Sequence, residues 1–473
     1  MNTAASKSGY SRLRTVTRLA GLFFVILTAF CAYHAILSWR VRAEVNSLRA
    51  QGLPVTLEEL SSWYKTPAGP NAADLYLKAF ASIQEPPQPL AMDLPIAGEG
   101  DLPEYPAEIP EETIKAIGEY VSANADAITL LHQAADIPKC RFPLVFESEP
   151  NTGLALSLDI TKGARASARL LTLDAVLAAA SRDSERAHRS LLACIILSNA
   201  LIDVPDAAGF LLAIAIRDIG VQDLNRLLDS GEFSQAQFES LSRALTEKDG
   251  HPILQISEMG SRCQSLHYFA HRPSWFDASS WQRNGESLSE WLTAGTAGAH
   301  IRDLLGITKI GLASYLRSSR ELAENLHSDP STIGHRLDAL QREASSLMAG
   351  SEASKLANMT AYTTKQQVGT LLRWSVRSRL FQCLLAVERF RRDRSLLPAS
   401  IEELTPSYCA SAPIDPYSGM PMKLRPAENG FVVYSVGPNQ IDDGGVEIEP
   451  QLDDMMWGIP PPGDIVLHRI SIL

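Results

Sequence analysis

The sequence predicts a mainly α-helical protein: an N-terminal transmembrane helix, a body of helical hairpins, and a small α+β appendix with an antiparallel hairpin at the C-terminal end. Three observations lead there. Leu19 to Trp39 carries no formal charge and is bracketed by Arg18 and Arg40. From Thr56 to Arg394 apolar residues recur at helical spacing between capping residues. After Pro398 the pattern breaks into short segments joined by turn-forming residues such as Asp415-Pro416-Tyr417-Ser418-Gly419 and Asn429-Gly430.

The apolar run comes first. At ~1.5 Å per residue a helix over Leu19–Trp39 just crosses the ~30 Å hydrocarbon layer. Leu19, Leu22, Phe23, Phe24, Val25, Ile26, Leu27, Phe30, Ile36 and Leu37 favour insertion by roughly 3 to 6 kcal/mol together. Trp39 stands where an interfacial aromatic belongs, and Arg40 and Arg42 reach the headgroups. A cleaved signal peptide would have a shorter run and an Ala-x-Ala-type site, for which Ala32-Tyr33-His34-Ala35 is too bulky. A lipoprotein signal would place a small residue, not Phe30, before Cys31. A buried soluble helix fits poorly with cationic flanks on both sides. The expectation is an uncleaved anchor in the lipid bilayer. Lys7, Arg12, Arg14 and Arg18 before it, against Arg40, Arg42 and Arg49 after it, favour a cytoplasmic N-terminus and an extracytoplasmic bulk.

The elements then follow in order. Thr56 with Glu59 forms a capping box that opens a helix over Leu57–Lys65, and Asn71 caps another to about Phe80. Prolines from Glu85 to Pro110 mark a loop. Pro110-Glu111-Glu112 starts a helix running towards Ala135, ahead of an extended Cys140-Arg141-Phe142-Pro143. Ala164 to Asp203 reads as a helical hairpin turned at Asp183, similar to a tetratricopeptide pair but without a steady repeat. Ala207 to Leu228 is a further apolar helix. Ser234 and Gln237 form a second capping box, with Phe233 and Phe238 as a hydrophobic staple. Helical patterning returns over His300–Leu326, Ile333–Leu347 and Leu371–Arg394. Ser400 and Glu403 open a short helix that Pro406 ends. Asn429-Gly430 then joins Met422–Leu424 to Phe431–Val436 as a hairpin. The expected organisation is a basic tail (1–18), anchor (19–39), juxtamembrane helices (40–84), Pro-rich loop (85–110), helical body (111–370), and long helix plus appendix (371–473).

Beyond the anchor about 430 residues remain, enough for one large or several ordinary cores. A net charge of −11 and the absence of a basic stripe exclude a nucleic-acid binder. Cys31, Cys140, Cys194, Cys263, Cys383 and Cys409 include no Cys-x-x-Cys pair, so apolar burial rather than a disulfide framework must hold the fold.

The C-terminal part resembles the major pseudopilin of type II secretion systems. The matching residues are Ala386-Val387-Glu388-Arg389-Phe390, Leu397-Pro398-Ala399-Ser400-Ile401-Glu402-Glu403-Leu404, Asp415-Pro416-Tyr417-Ser418-Gly419, and Phe431 to Pro438 running into Asp442-Asp443-Gly444-Gly445. The whole chain is similar to a group of uncharacterised single-pass bacterial membrane proteins carrying this tail and a Cys-Arg-Phe-Pro-like segment, here Cys140 to Pro143. The resemblance implies a shared local fold. True pseudopilins carry a glutamate five residues into the mature chain, and Arg14, five residues after Gly9, stands in its place. Leader processing and pilus assembly are therefore not implied.

The same resemblance offers calcium near the final loop, with Asp442, Asp443, Asp453 and Asp454 as ligands and Glu447 and Glu449 nearby. Such hard oxygen ligands suit Ca²⁺, although a solvated acidic turn has the same composition and the spacing is not that of an EF-hand. His267 and His271, four apart with Glu258 upstream, could hold zinc, but Tyr268-Phe269-Ala270 lies between them in place of Glu-x-x and Arg262 and Arg272 repel a cation. Trp275, Trp281 and Trp291 could line a groove or anchor a core. No Gly-x-Ser-x-Gly elbow, P-loop or Gly-x-Gly-x-x-Gly occurs. No catalytic residues and no organic cofactor are expected. The leading expectation is a membrane-anchored, non-catalytic binding or scaffolding component of the cell envelope, with envelope or secretion-system proteins as partners. The alternatives are an accessory part of a type II secretion or pilus-like system, and an envelope hydrolase whose site assembles from distant residues.

Overall fold

A computed structural model of the chain describes residues 3–144, 158–231, 233–248, 253–271, 306–324, 352–446 and 463–470, with the single positions 339 and 342. The protein is mainly helical, with one long apolar N-terminal helix and a small antiparallel sheet near the other end. The chain divides into two compact units, residues 1–53, 271–321 and 337–362, and residues 54–270, 322–336 and 363–473.

The first unit is built on α1 (Thr3–Ala50). The stretch from Thr17 onward is long and apolar enough to span a membrane. Leu22, Phe23, Phe24 and Val25 are 57%, 67%, 67% and 64% exposed, so no protein core accounts for their side chains. The cover begins at Leu37, which is buried. A second helix, α13 (Ile307–Glu324), meets α1 along its C-terminal part. The Lys309 ammonium donates to Ser38 Oγ at 2.8 Å, and Arg320 Nε donates to Glu44 at 2.8 Å. Gly306, at φ +73°, lies so close to α1 that a Cβ there would collide with Leu37 and crowd Tyr33. The apolar face left open by α13 thus runs from Leu19 to Ile36.

The second unit begins with α2 (Leu57–Trp63), whose Thr56 cap accepts from Glu59 N at 3.1 Å. The Glu59 carboxylate returns its bond to Val55 N (2.8 Å), one residue before the position a capping box uses. Helices α3 (Ala72–Ser82), α7 (Leu158–Ala180), α8 (Ser184–Ile202) and α9 (Ala207–Val221) pack around one apolar cluster that includes Tyr76, Phe142, Leu171, Leu197 and Phe210. The expected hairpin is α7–α8, and Asp183 Oδ1 accepts Arg186 N at 3.1 Å to start its second arm. Gly163 leaves room on α7 for the Phe80 ring. Arg217 of α9 crosses this region fully buried. Its guanidinium lies 3.4 Å from the centre of the Trp374 ring and donates to Asn199 Oδ1 and Ser378 Oγ.

Several elements differ from expectation, among them the last helix, which begins at Glu352 rather than Leu371. The helix expected from 111 to 135 is two, α5 (Glu111–Ala123) and α6 (Ala125–Ala135), because Asn124 turns its side chain onto Tyr120 O and onto both backbone groups of Gln84. The 207–228 helix breaks at Gln222-Asp223 into α9 and α10 (Leu224–Leu228). The Pro-rich loop contains a short helix, α4 (Gln88–Asp93), that the buried Leu94 follows. The second capping box is present at α11 (Gln235–Thr246), with Phe233 and Phe238 5.8 Å apart between ring centres. α12 spans Ile253–His271, and the last helix, α14, runs from Glu352 to Arg394. Trp275, Trp281 and Trp291, and the Ile333–Leu347 helix apart from positions 339 and 342, lie outside the described residues.

After α14 a single turn of 3-10 helix (Ile401–Leu404) leads to β1 (Lys423–Ala427), β2 (Gly430–Ser435) and β3 (Ile465–Ile470). The order is β1-β2-β3, antiparallel throughout, with Leu424 opposite Val433 and Val433 opposite Leu467. The hairpin is as expected, and β3 adds a third strand. Phe431 and Val433 of β2 join Leu191, Phe238 and Leu384 in a second apolar cluster that ties the sheet to the helices.

Candidate functional site

Among the described residues, a cavity of about 460 Å³ opens between the α5–α6 pair and the α7–α8 hairpin. Val121, Ser122, Ala125, Ile128 and His132 form one wall; Asp174, Asp183, Glu185, Arg186 and Arg189 form the other. The two walls differ because each hairpin turns a different chemistry inward. The first is largely apolar. The second presents the first two turns of α8, where the Asp183 cap and Glu185 suit the positive helix start and Arg186 turns to the Asp174 carboxylate of α7.

At the back, Asp174 interrupts the apolar run Leu170-Leu171-Thr172-Leu173 and its carboxylate is almost wholly buried. It takes Arg186 Nε at 3.0 Å and Nη2 at 2.5 Å on one oxygen, and the Ser190 hydroxyl on the other. Ser190 Oγ lies 2.9 Å from His132 Nε2. Burial holds the His132 imidazole below its ordinary range, against the pull of the Asp174 charge. A carboxylate only accepts, so Ser190 donates to Asp174 and receives the Nε2 proton of a neutral His132. The order is Asp–Ser–His, with the hydroxyl in the middle. A nucleophilic serine needs the opposite flow, its proton passing to the imidazole. Ser190 is also fully buried. The constellation therefore fixes side chains rather than activating a nucleophile.

The expected site residues lie elsewhere and are scattered. Asp442 pairs with Lys423 at 3.0 Å, and Asp443 accepts Asn439 Nδ2 at 3.0 Å. Asp453, Asp454, Glu447 and Glu449 lie outside the described residues. His267 and His271 both fall on α12, with His267 half-buried. Among the described residues no three His, Cys, Asp or Glu side chains converge as metal ligands. The Cys-Arg-Phe-Pro segment is a packing device: Phe142 sits with the Tyr76 and Phe80 rings, Arg141 pairs with Asp203 at 2.9 Å, and Asn71 holds the Arg141 backbone on both sides.

Asp415, in the turn before β1, is likewise an organising centre. It is buried and accepts from Tyr417 N, Ser418 Oγ, Ser435 Oγ and Val436 N at 2.8–3.1 Å. The cavity was not singled out by sequence. Its one signal was Asp174, a lone carboxylate within an apolar helix face that must find donors, and Arg186 and Ser190 supply them from the next helix.

No family model matches the chain, and no curated protein or solved structure is significantly similar to it.

Proposed function

We propose that this chain is a membrane-tethered binding protein of the cell envelope, non-catalytic, with α1 held in the bilayer and the helical body outside the cytoplasm. The cavity between α5–α6 and α7–α8 carries the reading. It has the volume of a small-molecule site, and its back wall is locked by the Arg186–Asp174–Ser190–His132 chain, so its polar groups are set before any ligand arrives. The exposed apolar face of α1 supports the tether. The excess of cations before the span supports the orientation.

The test is native mass spectrometry of the full chain taken from its own membranes into lipid nanodiscs. Ala125 is exposed at the cavity wall, so A125W fills the space without entering the core. A small molecule that accompanies the natural chain and is missing from A125W supports the reading. Identical spectra refute it.

A second reading, an accessory of a secretion or pilus-like machine, draws support from the C-terminal appendix, where a helix, a 3-10 turn and an antiparallel sheet follow in the order the pseudopilin resemblance implies. Normal secretion in a deletion strain would contradict it.

A further inference from the structure

The groups left free inside the cavity name a class of ligand, an inference that rests on reading the cavity as a binding site. Each of its acids already accepts a hydrogen bond, and Asp174, the innermost, is paired with a cation. Asp174 takes Arg186 and Ser190, Asp183 takes the Arg186 backbone N–H, and Glu185 takes Gln237 Nε2 at 2.6 Å. Its cations keep donors free. Arg186 commits Nε and Nη2 to Asp174, which fixes the plane of the guanidinium and leaves Nη1 without a hydrogen bond. Arg189 has only Asp136, at 3.7 Å and with both side chains more than half exposed, which is too long for a hydrogen bond. An arginine held along one edge by a buried carboxylate is oriented in advance for an oxyanion on its other. Opposite stand Val121, Ala125 and Ile128, with no charge.

We infer that the cavity takes a small organic carboxylate with an apolar body, the anionic end on Arg186 Nη1 and Arg189, the body against Val121, Ala125 and Ile128.

The experiment is calorimetric titration of the full chain in nanodiscs, with empty nanodiscs as the blank. Three probes share one ring and differ in charge: benzoate, benzyl alcohol and benzylamine. Benzoate should bind most tightly. R189Q, a change on an exposed side chain, should weaken benzoate at least about tenfold, the loss of one charge-assisted contact, while leaving benzyl alcohol as it was. A125W should abolish benzoate binding. Benzylamine binding as tightly as benzoate, or benzoate binding indifferent to R189Q, overturns the carboxylate class even where A125W still removes the signal. If no probe shows binding sensitive to A125W, the class is also overturned. The binding reading itself would stand or fall separately, on the small molecule that does or does not accompany the chain from its membranes.

Discussion

Replacing Glu388 by Gln should unpin the last strand and remove a specific part of the acid sensitivity of the fold. Glu388 lies on α14 with its carboxylate fully buried, and takes Arg391 Nη2 at 2.9 Å and Arg392 Nε at 2.8 Å. Arg469 of β3, equally buried, reaches it at 3.4 Å through Nε and pairs with Asp229 at 2.5 Å through Nη2. Burial alone would push the Glu388 carboxyl up; the bonds from Arg391 and Arg392 and the charge of Arg469 outweigh it and hold the group at about 2, against an ordinary 4.5. That gap is worth about 3 kcal/mol of stability. A depressed carboxyl contributes in full above its unfolded value, near 4.5, and loses the contribution as pH falls towards 2; about 2 kcal/mol of it is gone by pH 3. E388Q at neutral pH leaves a buried guanidinium short of its partner, at a cost of about 3–5 kcal/mol. Thermal unfolding followed by tryptophan fluorescence from pH 7 to pH 3 should show a gap between natural chain and E388Q that is wide at neutrality and narrows with acid. Hydrogen exchange at pH 7 should be faster over Ile465–Ile470 in the variant. A gap that is absent at pH 7, or constant down to pH 3, would refute the reasoning.

Three further outcomes follow from the packing. D415A removes the acceptor of two backbone N–H groups and two hydroxyls in a buried turn and should destabilise the sheet region by about 3–5 kcal/mol, with D415N milder; equal melting of both variants and the natural chain contradicts this. G163A drives a Cβ against Phe80 Cβ and Cγ and should cost about 1–3 kcal/mol, less in an F80A background, where Cγ and the ring are gone; an equal loss in both backgrounds would show that the Phe80 side chain is not the obstacle. His132, neutral and donating from Nε2 to Ser190, should titrate below the ordinary histidine value of 6.5 in ¹⁵N-imidazole spectra. Because its folded value is depressed, the neutral ring's contribution to stability is present above that ordinary value and falls as acid protonates it. A midpoint at or above 6.5 contradicts the neutral ring assigned to the cavity wall.

The elements that sequence made legible are those whose signal is local. Thr56, Asp183 and Ser234 start helices because each offers an oxygen to its own helix's N–H groups, and four residues of context reveal it. The α7–α8 hairpin and the Asn429-Gly430 turn are legible for the same reason. The breaks at Asn124 and Gln222-Asp223 are not, because Asn124 is set by Gln84, forty residues away in the chain. β3 is not legible either, because Arg469 is held by Glu388 and Asp229, both far from it in the chain. The cavity was hidden by the same kind of distance: His132 and Ser190 are fifty-eight residues apart. Asp174 alone hinted that an apolar helix face concealed a polar demand, and nothing local said what would meet it.

The measurement closest to the central claim is the position of the body relative to the bilayer. Cysteines introduced one at a time on exposed parts of the body, at Arg189 and at Met420, in a background with Cys31 and the partly exposed Cys140 replaced, can be labelled in intact cells by a maleimide that does not cross membranes, and the membranes then washed with alkaline carbonate. Both positions should be labelled before lysis, and the chain should stay with the membrane pellet. Labelling only after lysis, or release of the chain into the wash, would contradict that claim.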